Sequence, residues 1–202
     1  MELADKRRAW QRFRDDRGWL GGAWNLGQQL RPAAAADGTL FVVGTARFDA
    51  WHVAAHLDDE ARRCGVPSLQ PTLLRWNPPA GAPPHLRHSA HELSEANHRS
   101  AVLVVAPDRL HETGLERLAD ARRRGAPLFT LTSDQELASL GDEGVVLTPE
   151  TGEADEAAAD EVVASQDFDV ASHLMALSAG TRPDRRRIGL NPWRGRPASR
   201  LP

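Results

Sequence analysis

Two groups of histidines in this chain have a spacing that could bind a metal ion. His52 and His56 stand four apart, so one helix face would present both rings to a metal ion. No carboxylate or third histidine follows at a motif spacing, which favours surface or interface histidines. His85, His88 and His91 step by three, and because that step drifts around a helix, they could not all bind one ion without a loop. The sequence therefore predicts no metal site and no cofactor.

The elements that would position a site are organised around residues 101–134. An apolar run at Ala101–Ala106 is followed by a polar turn, a helical pattern that Gly125 closes, and a second apolar run at Pro127–Leu131. Bare apolar runs indicate parallel strands covered on both faces, and a crossover of a dozen or more residues suits such a pair. The turn at Pro107–Gly114 lies where an open α/β sheet holds a ligand.

The rest of the chain continues the alternation of strands and helices. We therefore predict an α/β fold of Rossmann type, a five-stranded parallel sheet sandwiched by helices. Strands are expected at 39–43, 69–75, 101–106, 127–132 and 144–148. Further helices are expected at 48–63, 85–97 and 162–179, with a short helix ending at Leu140 that Ser133 caps while Glu136 reaches back.

The chain divides into three predicted regions. A helical pattern near the N-terminus is interrupted at Gly18, Gly21 and Gly22, and an Ala-rich linker at 31–38 follows it. The C-terminal stretch has seven arginines against one aspartate among several prolines, so it cannot bury a core of its own. The predicted regions are a helical lead-in at 1–37, an α/β domain at 38–180 and an Arg/Pro-rich tail at 181–202.

Composition narrows the class of protein. A length of 202 residues suits a single hydrophobic core, and a formal net charge of −3 argues neither for nor against nucleic acid. Cys64 is the only cysteine, which excludes an intrachain disulfide and a cysteine-ligated metal cluster and fits a reducing cytosol. No stretch approaches the roughly 18 apolar residues that cross a membrane. We expect a cytoplasmic protein without a membrane partner.

Three segments of the sequence resemble the SIS (sugar isomerase) domain family over roughly Gly38 to Gly180. FVVGTARFDA stands where that family has a strand, a glycine and a phosphate loop. GAPLFTLTSD followed by LASLGDEGVVL matches the order and spacing of its final strand, Ser/Thr turn, short helix and last strand. The chain is also similar to small SIS-like proteins that lack the catalytic residues of sugar isomerases.

The resemblance implies a binding site for a phosphorylated small molecule. In that family hydroxyl and backbone N–H groups of the loops after the first and third strands hold the phosphate at helix N-termini. Here Pro107 has no N–H and Asp108 would repel a dianion, while the arginines of both loops could compensate as guanidinium clamps. We expect weakened binding, with these candidate ligand-binding residues: Gly44, Thr45, Arg47, Arg109, Thr132 and Ser133.

These eroded loops favour a non-catalytic domain that binds a ligand weakly or acts through protein contacts as a homodimer. The first alternative is a sugar-phosphate isomerase or nucleoside-processing enzyme that uses Glu112 or Glu116. A carboxylate at a helix start more often stabilises the helix dipole, and a glycine-rich phosphate loop is missing before Glu116. The second alternative is nucleic-acid binding through the Arg-rich tail. The six acidic residues of 149–161, or another acidic protein face, are the favoured partner of that tail.

Overall fold

A computed structural model describes residues 17–34, 38–147 and 159–181, without the side chains of 17, 18, 85 and 159–166. The strands are β1 Leu40–Val43, β2 Pro71–Leu74, β3 Ala101–Ala106, β4 Leu128–Thr132 and β5 Glu143–Val146. The α-helices are α1 Arg17–Ala34, α2 Trp51–Cys64, α3 Glu112–Arg123, α4 Gln135–Leu140 and α5 Ala159–Gly180.

The five strands form one sheet in the order β2-β1-β3-β4-β5, and every pairing is parallel. The predicted fold class is confirmed. β1, β3 and β4 are buried along their whole length, as their bare apolar runs predicted. The connections from β1 and from β3 leave the sheet towards opposite sides, which places the topological switch point between these two strands.

Two apolar layers cover the sheet, one on each face. Alternate residues of each strand supply the layers, so that in β1 Leu40 and Val42 face one layer while Phe41 and Val43 face the other. The first layer packs against α1, α2 and α5. The second packs against α3, α4 and the segment before β3. This packing fixes the positions of the helices relative to the carboxyl edge of the sheet.

The N-terminal helix differs from its predicted form. α1 runs without a break through Gly18, Gly21 and Gly22 and includes Pro32, in what we predicted to be a linker. Its apolar face is buried against α5, where an added Cβ at Gly27 would lie 2.1 Å from the carbonyl oxygen of Met175. This packing outweighs the low helix propensity of glycine.

The predicted helix at 85–97 is wrong. Two 3₁₀ turns stand there, Pro84–Leu86 and Ala90–Glu95. Between them the backbone at Ser89 is extended and pairs with the residue after β2: Arg75 N donates to His88 O at 3.0 Å, and Ala90 N donates to Arg75 O at 2.9 Å. A continuous helix would break both bonds.

The cap of α4 is also corrected. The N-cap is Asp134, whose carboxylate accepts from Glu136 N at 2.9 Å, and not Ser133. The Ser133 hydroxyl is engaged elsewhere, since it donates to the carbonyl oxygen of Pro107 at 2.8 Å.

The Arg-rich tail beyond Thr181 and the acidic stretch up to 158 lie outside the described residues. Among the described helices, none is both long and apolar enough to span a membrane.

Candidate functional site

The loop from β1 to α2 is a tight turn held by its own hydrogen bonds. Thr45 N donates to Phe48 O at 2.9 Å, and the Thr45 hydroxyl accepts from the amides of Arg47 and Phe48 at 3.2 and 3.0 Å. Gly44 is required here because a Cβ would lie 1.9 Å from Phe48 O. Two amides that a phosphate could have used are thus occupied by the threonine side chain.

A side-chain hydrogen bond joins this loop to the loop after β3. The Thr45 hydroxyl, only 6% exposed as a residue, donates to Asp108 Oδ1 at 2.6 Å. The bond crosses the switch point between β1 and β3, where the sequence predicted the ligand crevice. The carboxylate there is held by the protein itself and adds negative charge to the crevice.

The N-terminus of α2 remains open to an anion. Its N-cap, Ala50, provides no side-chain hydrogen bond, and the first turn contains no acidic residue. The unpaired N–H groups of such a helix end attract negative charge. Arg47 is exposed in the same loop, and within the described part of the chain its guanidinium has no hydrogen-bond or ion-pair partner.

A cleft of about 110 Å³ lies beside this loop, between residues 44–49 and 74–77. Its outer wall is stiffened by Arg75, whose Nε donates to Asp49 Oδ2 at 2.7 Å. That pairing neutralises Asp49, so Arg47 is left as the unpaired charge of the lining. The lining of the cleft therefore contains two arginines against one aspartate, next to the open end of α2.

Trp76, which was not predicted as a site residue, lies between the loop after β1 and the loop after β3 and contacts both. Its Nε1–H donates to Gly44 O at 2.9 Å, and its ring meets the ring of His111 edge-on at 4.4 Å between centroids. The Arg117 guanidinium carbon lies 5.6 Å from the Trp76 ring centre. A single tryptophan just past the end of a predicted strand was the available signal, because such a position opens on the carboxyl edge.

The candidates from the second half of the sheet do not join this loop. The Arg109 side chain is 80% exposed and turns to the start of α4, with Nη2 at 3.5 Å from Glu136 Oε2 and Nε at 4.0 Å from Asp134 Oδ2. Thr132 is fully buried, and its hydroxyl accepts from Asp134 N at 3.0 Å. Together with the Ser133 bond to Pro107, these contacts shape the loops around α4.

The alternative catalytic residues stand apart on α3. Glu112 begins the helix and Glu116 lies one turn on, and both are exposed. Within the described residues neither carboxylate has a hydrogen-bond or ion-pair partner. His111 is the N-cap, with Nδ1 accepting from Gly114 N at 2.9 Å. Within the described ranges, no hydrogen bond orients any of these three side chains towards Thr45.

The histidine pair of α2 meets a third histidine from the other end of the chain. His52 and His56 are half-buried, with their Nε2 atoms 2.9 Å apart, and the ring of His173 on α5 lies 3.7 Å from that of His56. One nitrogen of each ring lies within 4.8 Å of the others. His173 was not among the residues predicted from the sequence, although Asp169 and His173 repeat the i, i+4 spacing of the first pair.

Burial, followed by the charges of His173 and then His52, holds the pKa of His56 below its ordinary value. The imidazole of His56 is therefore neutral near pH 7.

His88 and His91, the described side chains of the other histidine group, do not form a second cluster. His88 pairs with Glu92 Oε2 at 2.8 Å, whereas His91 Nδ1 lies 3.0 Å from Arg117 Nη2.

No protein-family model and no curated sequence matches this chain. Among solved structures, 86% of the chain aligns with 47% of a putative phosphosugar isomerase from Silicibacter pomeroyi DSS-3, at 16% identity and a TM-score of 0.53. The chain thus spans about half the length of that protein.

Two further solved structures give lower scores. The sugar isomerase domain of an RpiR transcription factor from Sphaerobacter thermophilus aligns with 85% of the chain over 94% of its own length, at 20% identity and a TM-score of 0.45. The Vibrio vulnificus NanR protein complexed with ManNAc-6P aligns with 77% of the chain over 50% of its own length, at 16% identity and a TM-score of 0.42. The all-parallel sheet and the likeness to the Silicibacter structure identify the fold of this chain as that of a sugar isomerase (SIS) domain.

Proposed function

We propose that this chain is a ligand-binding domain that holds the phosphate of a small phosphorylated molecule, of the sugar-phosphate class, at the start of α2. The observation behind the proposal is the end of that helix, which lacks a side-chain cap and an acidic first turn and lies beside the unpaired Arg47. Backbone N–H groups and a guanidinium together suit a phosphate. The fold shared with a protein described as a phosphosugar isomerase supports this ligand class.

The same loop argues for weak binding. The Thr45 hydroxyl already takes the amides of Arg47 and Phe48, so fewer N–H groups are available to a phosphate. Asp108, hydrogen-bonded to Thr45, places a negative charge at the crevice. A dianion bound at the start of α2 would meet the attraction of Arg47 and the repulsion of Asp108 at close range.

Binding without isomerisation is the second part of the proposal. A general base must be held within hydrogen-bond reach of the proton that it removes. Glu112 and Glu116 are exposed on α3, and in the part of the chain that the structure describes no hydrogen bond orients either of them. A sugar phosphate anchored at α2 would therefore find no positioned carboxylate among the candidates on α3.

Calorimetry with a panel of pentose and hexose phosphates, and inorganic phosphate as the reference, tests the binding site. Arg47→Ala should weaken binding about tenfold, the value of one charge-assisted contact. Arg99→Ala is the matched control, because Arg99 is an exposed arginine just before β3, at the opposite edge of the sheet. Equal affinity in wild type and Arg47→Ala would refute the proposed site.

An aldose–ketose isomerisation assay with the same panel tests the absence of turnover. We expect none above the uncatalysed rate. Turnover that Glu116→Gln or Glu112→Gln abolishes would instead establish the enzyme alternative. The tail, with its acidic or nucleic-acid partner, lies outside the described residues and stays a prediction.

A second role, self-association, is supported by exposed apolar side chains on one helical layer. Trp51 of α2, Leu177 of α5 and Trp24 of α1 are 58%, 41% and 39% exposed. Where exposed apolar side chains form one continuous patch, that patch is typical of a protein contact surface. Sedimentation should show a dimer that Trp51→Lys weakens; a monomer at high micromolar concentration would contradict this role.

A further inference from the structure

Three histidines from two distant helices converge on one point between α2 and α5. We propose that His52, His56 and His173 bind one divalent transition-metal ion, with Zn²⁺ preferred, and that this ion joins α2 to α5. The site is separate from the phosphate site proposed at the loop before α2. It uses side chains that no step of that proposal involves.

The distances between the ring nitrogens suit a tetrahedral ion. Zn–N bonds of about 2.0–2.1 Å separate two ligand nitrogens by about 3.4 Å. The Nε2 atoms of His52 and His56 are 2.9 Å apart, and one nitrogen of each of the three rings lies within 4.8 Å of the other two. Side-chain rotations that move the ring nitrogens by about 0.5 to 1.4 Å would bring all three to the separation of about 3.4 Å that a tetrahedral ion requires.

Asp169 orients one of the three rings for coordination. His52 Nδ1 lies 3.1 Å from Asp169 Oδ1, so the ring donates its N–H to the carboxylate and directs the lone pair of Nε2 towards His56. A carboxylate behind a metal-binding histidine fixes the tautomer and makes the ligand nitrogen more basic. Asp169 therefore acts as a positioning residue.

The type and number of ligands select the metal. Three imidazoles without a thiolate suit Zn²⁺, Ni²⁺ or Cu²⁺ and do not suit Mg²⁺ or Ca²⁺, which prefer oxygen ligands. Three protein ligands leave a fourth tetrahedral position open. His56 and His173 line a cleft of about 450 Å³ together with Asp59, Glu60 and Leu177, so that position is accessible to water.

Calorimetry of the EDTA-treated, untagged chain with ZnCl₂ is the test. We expect one Zn²⁺ per chain, and a loss of affinity of at least 100-fold in each of His52→Ala, His56→Ala and His173→Ala. His98→Ala is the matched control, because His98 is an exposed histidine before β3 that, among the described residues, has no hydrogen-bond or ion-pair partner. Zn²⁺ affinity that is unchanged in His173→Ala, or absent from wild type at 1 mM, would overturn the proposal.

Two further measurements separate a coordination defect from misfolding. Far-UV circular dichroism of each variant should match that of wild type, and Co²⁺ should give tetrahedral d–d absorption in wild type that His173→Ala loses.

Asp169→Asn should keep the Co²⁺ spectrum while losing about 10–100-fold in metal affinity. An Asp169→Asn variant with wild-type affinity would refute its positioning role. Arg47→Ala should retain full Zn²⁺ affinity, which makes failure of either proposal distinguishable.

Discussion

The loop before α2 and the histidine cluster on α2 and α5 handle their polar groups in opposite ways. In the loop, donors and acceptors are matched: Thr45 accepts from the amides of Arg47 and Phe48 and donates to Asp108. In the cluster, one nitrogen of each of three rings lies within 4.8 Å of the others, and the Nε2 atoms of His52 and His56 are 2.9 Å apart. Matched polar groups define a conformation, whereas convergent lone pairs define a coordination site.

One helix positions both regions. α2 begins at Trp51, so its open N-terminus lies over the loop while His52 and His56 occupy its first two turns. The two regions therefore share a scaffold but use different atoms, backbone N–H groups in one and imidazole nitrogens in the other. Mutations that affect one region without the other test whether they are two sites.

Gly44→Ala should have the largest effect. The added Cβ would lie 1.9 Å from Phe48 O and 3.0 Å from Ala50 N, both backbone atoms that cannot move without opening the turn. We expect a loss of about 3 kcal/mol or more in the free energy of unfolding, measured in urea, together with loss of phosphate binding.

Gly21→Ala is the control for that substitution. Nothing lies within 4 Å of a Cβ at Gly21, and the residue is in α1, so alanine should stabilise the protein by about 0.5–1 kcal/mol. If Gly44→Ala unfolds no more easily than wild type, the tight turn does not define the loop. If folded Gly44→Ala loses Zn²⁺ affinity as well, the two regions are one site.

Zn²⁺ should raise the stability of the wild-type chain by the next largest amount. An ion that binds only the folded state at 100 times its dissociation constant contributes about 2.7 kcal/mol. For a chain of this size that corresponds to a rise of roughly 5–10 °C in Tm. Thermal melts of wild type and His173→Ala with and without Zn²⁺ measure it. An equal rise in His173→Ala would place the ion elsewhere.

The sheet was predictable from the sequence because its cause is local. Runs such as Ala101–Ala106 are bare of polar residues, and this composition alone indicates a strand covered on both faces. The helix predicted at 85–97 was wrong for the opposite reason. Its conformation depends on the bridge from Arg75 to Ser89, a contact with another strand end that no local pattern encodes.

The candidate sites follow the same division. The position of Thr45 and Arg47 at the carboxyl edge follows from a glycine-containing loop after a strand. What their atoms bond to was not predictable, because Asp108 reaches Thr45 across 63 residues. The histidine cluster was undervalued because Asp169 and His173 lie on the last helix, and His52 and Asp169 are 117 residues apart. A search for spacing within one helix cannot detect ligands that two helices share.

Removing the charge of Asp108 should strengthen phosphate binding. Asp108→Asn keeps an acceptor for the Thr45 hydroxyl and removes the like charge, a change worth about 1 kcal/mol or fivefold in affinity. Glu143→Gln is the control, because Glu143 is an exposed carboxylate at the amino end of β5 and changes the net charge equally. Calorimetry with the tightest sugar phosphate measures both. Equal gains in both variants would mean that net charge, not Asp108, governs affinity.

Arg109→Ala should have the smallest effect. The sequence predicted the same ligand-binding role for Arg47 and Arg109, and this variant best distinguishes the two arginines. The Arg109 side chain is 80% exposed and lies 3.5 Å from Glu136, and exposed ion pairs contribute about 0–1 kcal/mol. We expect under 0.5 kcal/mol in unfolding free energy and under twofold in phosphate affinity, against tenfold for Arg47→Ala. Comparable losses in the two variants would mean that a bound phosphate draws Arg109 away from Glu136 and bridges the loops after β1 and β3. In that case the crevice itself, and not the end of α2 alone, would be the binding site.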